Sequence, residues 1–74
     1  MWYDFSMESL FGLRVRELRE THELSQLQLA KEFHVTKQTV SAWEKGLQET
    51  DFSMLIEIAK FFRVSTDYLL GLEE

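Results

Sequence analysis

Lys37, Gln38 and Ser41 fall at a spacing that sets them side by side on the outward face of one short helix. Their types suit the edges of nucleic-acid bases. An amide such as Gln38 can meet adenine in a bidentate way, an ammonium such as Lys37 can donate to guanine O6 and N7, and a hydroxyl such as Ser41 can serve either. Each alone is an ordinary solvated residue, and the weight lies in their sharing a face. Catalytic chemistry finds no comparable grouping: there is no Cys, no Ser/His/Asp spacing, no Gly-rich phosphate loop and no carboxylate pair in a cleft-forming context. His22 and His34 stand twelve apart with no third ligand beside them, so no metal or cofactor is expected and an enzyme is the least favoured class.

The elements that position these donors can be read from caps and apolar spacing. Ser25 opens a helix by accepting the free N–H of Gln28, and Leu29, Ala30 and Phe33 form its buried side. Thr36 opens a second helix, residues 36–45, whose buried stripe is only Val40 and Trp43. Gly46 ends it by taking the left-handed conformation. Two short helices, a tight turn, a small Ala30 at their approach and a polar outer helix describe a helix-turn-helix, whose second helix enters a DNA major groove.

The ordered positions Ser25-Gln26, Leu29-Ala30, Val35-Thr36, Val40-Ser41, Trp43-Glu44 and Gly46 resemble the Cro and phage-repressor (XRE-like) DNA-binding domains. The likeness continues through residues 11–19 upstream and through Leu55, Ile58-Ala59, Val64-Ser65 and residues 67–71 downstream, covering about residues 9–72. It implies base-reading roles for Lys37, Gln38 and Ser41, and contacts to the DNA backbone for Gln26, Thr36 and Lys45. It also implies an ion pair between Arg19 and Glu44 that locks the recognition helix against helix 1. The chain departs from the family pattern at Glu23 and His34, which stand where Gly is usual, and near Thr50, where Pro is usual. A left-handed backbone at either non-Gly residue costs on the order of 1 kcal/mol.

Seventy-four residues without Cys or Pro, carrying helix-period apolar blocks separated by caps, predict one all-α domain: a compact bundle of about five short helices. With no signal peptide and no long apolar run, the expectation is a soluble cytoplasmic protein without a membrane span. The net charge of −5 is awkward for a phosphate-binding protein, but it is unevenly spread. Residues 1–24 sum to −2, residues 25–46 to +1 and residues 47–74 to −4, so only the helix-turn-helix third is positive.

Residues 1–8 form an aromatic N-terminal extension, with Trp2, Tyr3 and Phe5 expected to pack on the domain or on a second subunit and able to offer a surface to a protein partner, and residues 9–74 form the domain. Helix 1 is predicted from about Ser9 to His22, with Gly12 in its first turn. Phe11, Val15 and Leu18 point inward, and Arg14, Arg16, Glu17 and Glu20 make a solvated face. Leu27 should face out and offer the extension a landing place. Asp51 caps helix 4, whose stripe is Phe52, Leu55, Ile58, Ala59 and Phe62 with Phe61 beside it. Ser65 caps helix 5, where Tyr68, Leu69, Leu70 and Leu72 close the core, or else form a homodimer seam.

The functional expectation is a sequence-specific regulator of transcription, a repressor binding double-stranded DNA as a homodimer. The competing class is a protein-interaction module, antitoxin-like or antirepressor-like, which keeps the fold and uses its acidic ends. The net charge and the aromatic N-terminus favour the module, whereas the donors at Lys37, Gln38 and Ser41 have no evident use in it.

Overall fold

A computed structural model describes residues 6–73, with side chains from residue 10 onward. Five helices follow one another, α1 (Ser6–Thr21), α2 (Gln26–Glu32), α3 (Lys37–Glu44), α4 (Phe52–Phe62) and α5 (Thr66–Leu70), and there is no strand among the described residues. Ser25, Thr36, Asp51 and Ser65 are extended residues whose side-chain oxygens accept the N–H three positions on, opening α2 to α5 in turn. At Ser25 the cap is reciprocal, since the Gln28 side chain accepts the Ser25 N–H at 2.7 Å.

The helix ends share one device. After α1, α2, α3, α4 and α5 the chain turns through a residue of positive φ: Glu23 (58°), His34 (58°), Gly46 (74°), Arg63 (59°) and Gly71 (85°). Around each, two N–H groups reach back to carbonyls of the last turn, as Gly46 does to Trp43 (3.1 Å) and Leu47 to Ala42 (2.9 Å). Three of the five turns therefore carry a side chain where Gly would be unstrained.

The core gathers one stripe from every helix: Phe11 and Val15, Leu29 and Ala30 with Phe33 beyond them, Val40 and Trp43, Leu55, Ile58, Ala59 and Phe62, and Leu69. Trp43 is its largest fully enclosed side chain, with the Phe11 ring edge-on at 6.5 Å between centroids. Gly12 is what lets α1 reach α3. A Cβ there would lie 2.8 Å from the Glu44 carbonyl oxygen and closer still to that of Trp43, so the two backbones touch without an intervening side chain.

Four expectations change. Helix 1 starts three residues before Ser9 because Ser6, Met7 and Glu8 include no breaker, which puts Gly12 in its second turn; residues 1–5, and with them Trp2, Tyr3 and Phe5, lie outside the described residues. Phe52, the first residue of α4, is 84% exposed and lines an open groove with Phe11, Leu70 and Leu72 instead of entering the core. In the α5 segment only Leu69 is buried, while Leu72 is 64% exposed. Arg14 is no solvated charge: it lies over the Tyr68 ring, 4.2 Å from the centroid, and donates to the carbonyls of Tyr68 and Glu73, tying α1 to the end of α5.

Candidate nucleic-acid interface

The thin apolar stripe of α3 settles its orientation. Val40 and Trp43 are buried, so Lys37, Gln38 and Ser41 lie on the opposite side, where they share one shallow concavity with Ala42, Lys45 and Leu47. Lys37 and Gln38 are the first two residues of the helix and Lys45 is its C-cap, so the donors run along its whole length. Thr36, the N-cap, has its oxygen committed: it accepts the Thr39 N–H at 3.1 Å and lies 3.0 Å from the Thr39 hydroxyl.

Behind this surface a three-residue cluster fixes the far end of α3. Arg19 donates from Nε to Glu44 Oε2 at 2.7 Å and from Nη2 to Oε1 at 3.1 Å, while its Nη1 reaches the Leu24 carbonyl at 2.8 Å. Gln26 donates from Nε2 to the same Glu44 Oε1 at 3.0 Å. The ion pair is largely enclosed, with the Arg19 side chain 12% exposed and that of Glu44 4%. Hydrogen bonding to Glu44 raises the pKa of Arg19 against the opposing effect of burial, so the guanidinium stays charged. α1, α2 and α3 thus meet on one carboxylate.

Of the six residues assigned to DNA by resemblance, four share the α3 concavity and Thr36 caps the helix beside it. Gln26 is turned instead into the cluster, its amide held by Glu44. The sequence reading passed over Leu47. It is 77% exposed, and its only sequence signal is an apolar residue directly after the Gly that ends α3. His22 has a structural use, with its ring edge-on to Phe62 at 5.0 Å and Nδ1 2.8 Å from the Leu18 carbonyl oxygen.

Comparison with known proteins places this geometry. The model of the Helix-turn-helix family matches residues 15–69. A Bacillus subtilis protein described as an uncharacterized HTH-type transcriptional regulator, YobD, is 33% identical over 65 residues, covering 88% of this chain and 58% of that protein. The HTH-type transcriptional activator BcrR of Enterococcus faecalis is 38% identical over 64 residues, covering 86% of this chain and 31% of that one. The chain therefore spans little more than half the length of the first relative and under a third of the second. Among solved structures, the P22 c2 repressor in complex with a synthetic operator superposes with a TM-score of 0.80 at 31% identity, covering 86% of this chain and 97% of that one. With its helix-turn-helix at residues 25–46 held by the Arg19–Glu44 pair, this chain belongs to the Helix-turn-helix family, in its Cro and phage-repressor (XRE-like) form.

Proposed function

We propose that this chain is a sequence-specific DNA-binding module of a transcriptional regulator, acting in the cytoplasm and inserting residues 36–45 into the major groove of double-stranded DNA. The observation that carries the reading is the concavity along α3: Lys37, Gln38, Ser41 and Lys45 converge there on a helix whose other side buries Val40 and Trp43 in the core. Lys37, Gln38 and Ser41 read base edges, while Lys45 and the Thr36 end of the helix hold phosphates. Gln26 joins them through the second N–H of its amide, the first being given to Glu44. Repression follows where the site overlaps a promoter, because a domain seated in the groove excludes other proteins from it.

A single short helix reads only a few base pairs, so the working form is a homodimer with half-sites about one helical turn apart. Its seam belongs at α5 and the start of α4, where Phe11, Phe52, Leu55, Leu70 and Leu72 line an open apolar groove. The same groove favours the second reading, a protein-interaction module.

Selection of bound sequences from a random DNA pool at two salt concentrations tests the proposal. A recurring site is the expected result. Gln38→Ala then relaxes preference at one position, and Lys45→Ala weakens binding to all sequences alike. A domain that shows no preference at low salt while co-purifying with another protein overturns the DNA reading in favour of the module.

A further inference from the structure

We infer that Leu47, with Ala42 beside it, forms a thymine-methyl contact that adds base selectivity to the polar donors of α3. The inference rests on the DNA-binding reading above. Leu47 is held in place by the turn that ends the helix: its N–H donates to the Ala42 carbonyl at 2.9 Å, just after Gly46 turns through a φ of 74°. An apolar residue at this point of such a turn ordinarily packs back on the helix. With 77% of its surface exposed, Leu47 spends little of itself that way.

Scattered exposed leucines are ordinary on protein surfaces. This one stands inside the concavity that Lys37, Gln38, Ser41 and Lys45 line, where Ala42 is the other apolar member. The surface therefore carries two chemistries, donors that match acceptors on base edges and an apolar wall that matches none. Among the groups a base pair shows in the major groove, the C5-methyl of thymine is the apolar one. Leucine against cytosine or a purine edge would strip water from polar groups and return no hydrogen bond, so the wall selects as well as binds. Burying one methyl-sized group corresponds to about a fourfold gain in affinity.

The test uses the domain and the site recovered by selection. Each thymine is replaced singly by deoxyuridine, which keeps the hydrogen-bonding edge and lacks only the methyl. The expected result is one position per half-site where uracil weakens the wild type about three- to fivefold and where Leu47→Ala binds the thymine and uracil forms equally. Because the side chain is exposed, Leu47→Ala should melt like the wild type, which separates a lost contact from a lost fold. A site at which Leu47→Ala weakens thymine and uracil forms by the same factor, or changes nothing, overturns the assignment while leaving the DNA reading intact. Recovery of no site at all overturns both.

Discussion

The carboxylate of Glu44 is the point where three helices meet, and removing it should be felt by the whole domain. Glu44→Ala deletes the acceptor of three hydrogen bonds, two from Arg19 and one from Gln26, and leaves the guanidinium with the Leu24 carbonyl and the half-exposed Glu20 carboxylate, whose Oε2 lies 3.9 Å from Nη2. Stranding a buried charge in this way costs about 3 to 5 kcal/mol. Arg19 keeps some access to water, its side chain being 12% exposed, so the expected loss is nearer 2 to 3 kcal/mol. For a domain of this size that lowers the melting temperature by roughly 10 to 20 °C. Arg19→Ala should cost about as much, because Glu44 would retain only Gln26. The double variant has no stranded charge and should lose less than the sum, giving a coupling energy of about 2 kcal/mol. Urea titrations followed by circular dichroism measure all four corners of the cycle. Repetition in 1 M salt should preserve most of the coupling, since enclosed pairs are weakly screened. A coupling below about 0.5 kcal/mol would show that the cluster is a set of independent polar contacts and refute the reasoning.

Gly12→Ala should destabilise by about 1 to 3 kcal/mol by forcing α1 off α3, read as a lower urea midpoint; an unchanged midpoint would mean that the backbones part at no cost. Glu23→Gly, His34→Gly and Arg63→Gly should each stabilise by about 0.5 to 1 kcal/mol, the relief of a left-handed side chain exceeding the added entropy of the unfolded chain. A drop in melting temperature at any of them would expose a contact of that side chain that outweighs the strain. Phe52→Asp and Leu72→Asp should shift sedimentation from dimer toward monomer with the melting curve of the monomer unchanged, and unaltered sedimentation would remove the seam from this groove.

The parts of the molecule legible in the sequence are those set by local rules. Ser25, Thr36, Asp51 and Ser65 mark helix starts because a side-chain oxygen beside a free N–H is a short-range event, and Gly46 marks an end for the same kind of reason. Leu29, Val40, Trp43 and Ile58 are visible as core because their spacing follows the helix period. What escaped depends on distance. The spacing does put Phe52 in line with Leu55 and Ala59, but whether the first residue of that stripe is covered depends on what lies opposite it, and here it borders the open groove that Phe11, Leu70 and Leu72 also line. Arg14 has the spacing of a surface charge, and only the packing of α5 across α1 brings Tyr68 and Glu73 to it. Gly12 looks like a tolerated weakness in a helix until α3 is laid against it. Arg63 resembles any cation at a helix end, and its left-handed backbone follows from the turn that α5 requires.

The net charge of −5 becomes intelligible once the cluster is placed. Glu44 is the only acid on α3, and an unpaired carboxylate so close to Lys45 would cancel much of the positive potential of that lysine. Arg19 neutralises it from behind, from α1, without occupying the outward surface. The concavity is left with Lys37 and Lys45 as its cations, whereas among the described acids beyond it Glu49 and Asp51 lie in the loop before α4, Glu57 on α4, Asp67 on α5 and Glu73 after α5. On the proposed reading, two lysines per copy give little sequence-independent affinity, because that affinity grows with the number of phosphates neutralised. Binding must then draw more heavily on base contacts and on pairing two copies across a site. On that same reading, a weakly basic interface on an acidic domain trades general affinity for discrimination, since the remaining acidic surface would repel DNA wherever α3 were not seated in the groove.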